Sequence, residues 1–144
     1  MDADMIDAVD LAIERAVDEA CGREMVYGEN DCVLWCAAVL MPFLGYDPVE
    51  SFRDRYADPV TAQSLMGPLG LAREIGRVGQ LRGWRRKSSD DAALGDLGVI
   101  RTDFGPACAL FWRMDMWVGP LSRGFATVPR KSARFIWRPL ACLS

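Results

Sequence analysis

The chain has 144 residues, 51% hydrophobic and 26% charged, which is typical of one globular domain with a sizeable core. Its net charge of -3 implies no strongly charged partner, and its basic residues form no known recognition motif, so we expect no binding to nucleic acid. The N-terminus lacks a secretory signal, and the uncharged run from Cys32 to Tyr46 is too short to span a bilayer, so the sequence predicts a cytoplasmic product without a membrane span.

The cysteines argue against disulfides and metal sites. Their number is odd and no two have CxxC spacing; they are Cys21, Cys32, Cys36, Cys108 and Cys142. Reduced thiols are therefore expected. Zinc is usually bound by paired cysteines, so we predict no metal, and no cofactor.

Charge is distributed unevenly between the two ends of the chain. Residues 1–24 hold eight acids and two arginines, whereas residues 116–144 hold five bases and no acid. Either the two ends lie near each other or their charges only solvate the surface. The alternative is that one end docks a charged partner subunit.

The first segment, residues 1–24, is predicted to be an acidic amphipathic helix that stops at Gly22. Its apolar residues recur every three or four positions, as on the buried face of a helix; they are Ile6, Val9, Ile13, Ala16 and Ala20. Packing against the core is the expected role of this face, and docking of a partner is the alternative.

The next segment, residues 25–80, is predicted to be helical. Gly28 permits a tight turn, and Asn30 or Asp31 can cap the apolar helix that runs from Val33 to Met41. That helix is apolar all round, which is typical of a central buried helix. Pro42 lies near its end and Gly45 closes it.

Three shorter elements complete this half of the chain. The stretch from Tyr46 to Tyr56 indicates a loop with a short helical turn. Pro59 can begin a helix that continues to Met66, where Gly67-Pro68 interrupts it. A further helix is predicted from Leu69 to Val78.

The last segment, residues 81–144, is predicted to form a small antiparallel sheet or half-barrel. Short apolar or aromatic stretches alternate there with turn residues. The predicted strands are Trp84–Lys87, Leu97–Arg101, Ala107–Trp112, Met116–Val118, Gly124–Val128 and Arg134–Trp137. Because helices precede strands and no linker separates them, we predict a single α+β domain over residues 1–144.

Cys32 is the candidate nucleophile. It lies in the first turn of the central helix, where free N–H groups and the helix dipole favour a thiolate and can hold an oxyanion. Tyr27 can supply a further hydroxyl donor there. The alternative is that Cys32 and Cys36 are small buried apolar residues one turn apart.

Tyr27-Gly28 followed by Asp31-Cys32 at the start of an apolar helix resembles the NlpC-type cell-wall peptidases, a branch of the papain-like cysteine peptidases. Gly95-Asp96-Leu97 resembles the motif that enters their histidine strand. The resemblance implies a papain-like fold with helices packed on a sheet. It also implies Cys32 as the position of the nucleophile, Tyr27 as an oxyanion-site residue, and a motif position of unknown role for Asp31.

The chain more narrowly resembles tail-associated NlpC-like proteins of phages and gene transfer agents. The order of several short motifs over residues 27 to 138 carries this resemblance: Asn30-Asp31-Cys32, Gly45-Tyr46-Asp47-Pro48, Arg53-Asp54-Arg55-Tyr56, Gly70-Leu71, Gly95-Asp96 and Trp137-Arg138. It implies a protein made in the bacterial cytoplasm and assembled into a virion tail.

The chain departs from the active peptidases at the general base. Their histidine should fall near Pro106 to Leu110, yet the chain contains no histidine. Asp103 or Asp115 could take a proton only if burial raised its pKa. Losing the base of a catalytic pair typically costs roughly 10²–10⁴-fold in rate. Cys32 is therefore predicted to be a vestigial nucleophile.

Three functions remain open. The first is a structural component of a tail tip or baseplate, contacting tail hub, distal tail or fibre proteins. The second is a weak or partner-completed cysteine hydrolase acting on peptidoglycan, and the third is a cell-wall binding module without catalysis. The five tryptophans suit subunit interfaces in the first case, and packing of the core in the alternative.

Overall fold

A computed structural model describes residues 2–66, 70–103, 105–121 and 124–140. Helices occupy the first half of the chain and strands the second. The α-helices are α1 (Ala3–Ala20), α2 (Cys32–Leu44), α3 (Pro59–Met66) and α4 (Gly70–Arg82). The strands are β1 (Arg85–Lys87), β2 (Leu97–Thr102), β3 (Gly105–Phe111), β4 (Met116–Pro120), β5 (Phe125–Pro129) and β6 (Ala133–Arg138).

The strands form one antiparallel sheet with the order β1-β6-β2-β3-β4-β5. The predicted α+β class is confirmed, and each predicted strand has a counterpart within a few residues. The short turn predicted between Tyr46 and Tyr56 is a 3-10 helix over Glu50–Phe52. Gly67-Pro68, the predicted break before α4, lies outside the described residues.

Helix α1 forms where the pattern predicts, but its buried face begins at Met5 and not at Ile6. The Asp2 carboxylate caps the helix by accepting the Met5 N–H, and Val9 and Ile13 are fully buried. Met5 packs against the core, whereas Ile6 is 42% exposed. The prediction for Ile6 was wrong because the buried stripe begins one residue earlier, about 100° around the helix.

Helix α2 is the central element. Asp31 is its N-cap, and it runs through Pro42 to an end at Gly45, which adopts a left-handed conformation with φ 78°. Its buried side chains contact the sheet and α1; they are Val33, Leu34, Cys36, Ala37, Val39 and Leu40. None of the helices in the described part of the chain is long and apolar enough to cross a bilayer.

The sheet separates two apolar clusters. The larger lies on the helical side and includes Leu97, Val99 and Leu110. The smaller lies on the opposite side, where the Trp117 ring is completely buried. A Cβ on Gly98 would lie 2.7 Å from that ring, so the strand beneath the tryptophan needs a residue without a side chain.

The tryptophans are mostly core residues. Trp84, Trp117 and Trp137 are each at most 9% exposed, and Trp112 is half-buried and donates a hydrogen bond to Asp10. Trp35 is also half-buried and donates to the Ala16 carbonyl oxygen. The packing alternative therefore describes these side chains better than a role as interface anchors.

Charged residues of both end segments form ion pairs with residues that lie between these segments in the chain. Asp10 and Glu14 of α1 pair with Arg113, which precedes the basic segment. Arg130 of the basic segment pairs with Asp115. Arg123, another of its bases, lies outside the described residues.

Candidate functional site

A cleft of about 480 Å³ opens beside the N-terminus of α2. One wall comes from the turn before α2 and from the residues around α3, and the other from the ends of the sheet. Its lining includes Tyr27, Cys32, Tyr56, Leu71, Ala107 and Pro120. Most of this lining is apolar, and Cys32 belongs to it.

Asp31 organises the turn that presents Cys32. One carboxylate oxygen accepts the Leu34 N–H at 2.9 Å and so caps α2. The other accepts the Gly28 N–H at 2.8 Å and a short hydrogen bond from the Tyr56 hydroxyl. Asp31 is only 3% exposed, so these bonds replace its contacts with water. The role of this motif residue is therefore to fix the entry into α2.

Tyr56 closes the turn from the opposite side. Burial and the bond to Asp31 raise the pKa of its hydroxyl well above the usual value, so it remains a donor. Gly28 lies against the Tyr56 carbonyl oxygen at φ 83°, and a Cβ there would overlap that oxygen. The segment around Tyr56 therefore packs directly against the turn that precedes Cys32.

Two further motif pairs meet in the same way. Asp47 accepts a short, charged hydrogen bond from Arg53. Asp96, only 1% exposed, accepts bonds from Arg138 at 2.9 and 3.0 Å. Each pair joins two of the motifs, and the buried Asp96 carboxylate in particular needs such a partner.

The Cys32 sulfur lies against strand β3. The backbone N–H of Cys108 donates to the Cys32 sulfur at 3.3 Å, and the Cys108 thiol makes a second hydrogen bond to it. The hydrogen bond from the Cys108 thiol lowers the pKa of Cys32 against the effect of burial. The site therefore stabilises the thiolate form of Cys32 more than water does.

The other two buried thiols are protonated. The pKa of Cys108 is raised well above its ordinary value, first because its thiol donates to Cys32 and then because it is buried. Burial also raises the pKa of Cys36, one turn further along α2. The four described cysteines, Cys21 included, form no disulfide with one another, and Cys142 lies outside the described residues.

Tyr27 lines the same cleft as Cys32. Burial and the nearby charge of Cys32 raise the pKa of its hydroxyl, so the group is a donor rather than an anion. Its role as an oxyanion-site residue stays a prediction.

The place predicted for a general base holds a thiol. Cys108 is the residue of the Pro106–Leu110 stretch that reaches Cys32. Asp103 and Asp115 are both exposed, and Asp115 pairs with Arg130, so neither has the burial that a carboxylate base here would need. Within the described ranges, no three Cys, Asp or Glu side chains converge as metal ligands.

Sequence reasoning missed two residues of the site. Cys108 was noted only as an occupant of the stretch where a histidine was expected, and Tyr56 only as part of a motif. The pairing of Tyr56 with Asp31 joins residues 25 positions apart, and that of Cys108 with Cys32 joins residues 76 apart. The one available signal was the spacing between the motifs.

The fold and site define an α+β protein in which a cysteine at a helix N-terminus faces a second cysteine on an antiparallel sheet. The chain belongs to the DUF6950 family, a domain of unknown function, whose profile matches residues 5–139. No curated protein matches the chain.

Proposed function

We propose that this protein is a non-hydrolytic NlpC-like component of a phage or gene-transfer-agent tail tip or baseplate. The observation that carries the proposal is the contact between Cys32 and Cys108. A cysteine at the start of a helix, packed on an antiparallel sheet, is the arrangement expected of the papain-like superfamily. The strand that should supply the base supplies a thiol.

The chemistry of that contact disfavours peptide hydrolysis. A general base must accept the proton of the nucleophile and return it to the leaving amine. The Cys108 thiol already carries a proton, and its raised pKa opposes releasing it. Strand β4, next to β3, has the sequence Met-Trp-Val-Gly-Pro and so offers no titratable side chain to orient a base.

The tail assignment rests on the order of the motifs over residues 27 to 138, several of which pair with one another in the fold. The partners proposed are tail hub, distal tail or fibre proteins, after synthesis in the bacterial cytoplasm.

The test is to express tagged wild-type and Cys32→Ala chains in cells that produce the particles, and to purify the particles by density. A structural role predicts both chains in the particle at equal amounts, cross-linked to tail proteins, with equal delivery of DNA. Absence of the wild-type chain from purified particles would refute the tail assignment.

A weak or partner-completed cysteine hydrolase is the second candidate, favoured by the lowered pKa of Cys32 at the cleft. A neighbouring subunit would then supply the base. Cell-wall hydrolysis by whole particles, compared between the wild type and Cys32→Ala, distinguishes this function, since equal hydrolysis excludes it.

Recognition of peptidoglycan without catalysis is the third candidate, favoured by the open, largely apolar cleft. Purified protein should then sediment with isolated peptidoglycan. A substitution at Leu71, in the cleft wall, should weaken this binding more than one at the exposed Leu81.

A further inference from the structure

Two thiols of different exposure meet at the floor of the cleft. Cys32 is half-buried and is one of the residues that line the cleft, so a molecule in the cleft lies against this residue. Cys108 is 1% exposed and lies behind it on β3. The backbone N–H of Cys108 donates to the Cys32 sulfur at 3.3 Å, which places the two cysteines side by side.

The same two thiols also differ in reactivity. The backbone N–H of Cys108, the Cys108 thiol and the start of α2 all stabilise negative charge on the Cys32 sulfur. Cys108 stays protonated, in part because of that charge. An accessible thiolate backed by a buried thiol is the pairing that thiol–disulfide exchange requires of an attacking and a resolving cysteine.

We infer that Cys32 and Cys108 form a redox-active dithiol that an organic disulfide entering the cleft oxidises to an intramolecular disulfide. Cys32 is the attacking cysteine and Cys108 the resolving one. This activity does not depend on the tail assignment.

The reaction balances in two steps. The Cys32 thiolate attacks one sulfur of the disulfide R–S–S–R, whose S–S bond breaks, and the first R–SH leaves with the proton that Cys32 had lost. The Cys108 sulfur then attacks the Cys32 sulfur of the mixed disulfide, and a second R–SH leaves with the proton of Cys108. The protein loses two electrons and two protons, and the organic disulfide gains both.

The first step prepares the second. The Cys32 charge raises the pKa of Cys108, and that charge disappears once Cys32 is in a mixed disulfide. The Cys108 thiol then loses its proton more easily, which favours its attack on the mixed disulfide at Cys32.

The experiment uses the full chain with Cys21 and Cys142 replaced by serine, so that the three central cysteines remain. The protein is incubated with oxidised glutathione, free thiols are blocked with an alkylating reagent, and the intact mass is measured. After any blocking group on Cys36 is subtracted, we expect a mass lower by two hydrogens than that of the reduced chain, without bound glutathione. Trypsin should then release a cross-linked pair of peptides, residues 24–53 and 102–113, that dithiothreitol separates.

Single variants assign the roles. In Cys108→Ala, glutathione should remain attached to Cys32, because no resolving thiol follows. In Cys32→Ala, neither the cross-link nor the adduct should form at the wild-type rate, since Cys108 is buried. Cys36→Ala is the matched control: it removes the other buried thiol near Cys32 and should leave the cross-link intact.

Two results would overturn the proposal. One is a stable glutathione adduct on the parent chain with no cross-linked peptides. The other is loss of the cross-link in Cys36→Ala, which would place the disulfide between Cys36 and Cys108 instead of between Cys32 and Cys108. Because Cys32 and Cys36 share one tryptic peptide, the peptide maps of the parent and of Cys36→Ala together decide the matter, even if the Cys108→Ala chain does not fold. Neither result bears on the presence of the protein in particles.

Discussion

Replacing Asp31 by alanine should destabilise the protein by about 3 kcal/mol. The loss of a helix N-cap typically costs about 1 kcal/mol. The buried Tyr56 hydroxyl would also lose its acceptor, and an unsatisfied buried polar group costs about 1–3 kcal/mol. The Gly28 N–H is only partly buried and can form a hydrogen bond to water in the variant, so its loss of a partner adds less to the destabilisation. This sum is a large part of the total of about 5–15 kcal/mol expected for a domain.

The assay is urea unfolding followed by tryptophan fluorescence, with Asp2→Ala as the control. Asp2 caps α1 by accepting one hydrogen bond, from the Met5 N–H, at an exposed position, so its loss should cost at most about 1 kcal/mol. Tyr56→Phe completes a double-mutant cycle with Asp31→Ala. Because a hydrogen bond to a charged group is worth about 1.5–3 kcal/mol, the double variant should be less destabilised than the sum of the single variants.

Equal unfolding free energies for Asp31→Ala and Asp2→Ala would refute this reasoning. So would strict additivity with Tyr56→Phe. Either result would mean that the buried network contributes nothing beyond an ordinary helix cap.

Two further predictions concern the turns beside the cleft. Gly28→Ala should lower the unfolding free energy more than Gly22→Ala. Both glycines have positive φ, which costs about 1–2 kcal/mol for alanine, but only a Cβ at position 28 would overlap a backbone oxygen. Equal urea midpoints for the two variants would contradict the steric argument. The hydrogen bonds that Asp47 accepts from Arg53 and from the Val49 N–H lower its pKa below 3.8. The charged carboxylate therefore stabilises the folded protein fully above pH 3.8, and this stabilisation is lost as the pH falls through the folded-state pKa. Asp47→Asn should therefore flatten the pH dependence of the urea midpoint in that acidic range, and a curve parallel to that of the wild type would exclude the linkage.

Sequence patterns were most informative where the signal is local. The capping residues and apolar runs predicted α2 and α3 closely, and alternating stretches predicted the strands. The buried face of α1 begins at Met5 instead of the predicted Ile6. The spacing of apolar residues along a helix does not define how the helix is oriented against the elements that it packs on. Helix α4 extends to Arg82 rather than ending at Val78.

The candidate site was predictable in part. A capped apolar helix identified Cys32 and Asp31, and composition alone showed that no histidine could serve as a base. The partner of each residue was not predictable. Tyr56 reaches Asp31 through a loop, and that loop has no periodicity to set its path.

The sequence by itself determined the order of helices and strands, the cysteine at the helix start and the absence of a histidine. Only the tertiary structure decided that Cys108, in the stretch where a histidine was expected, lies against Cys32. The physical reason is strand register: a shift of one residue in β3 would turn Cys108 to the other face of the sheet and bring a neighbouring alanine towards the helix. Register depends on the packing of the whole sheet against α2, which no local pattern contains.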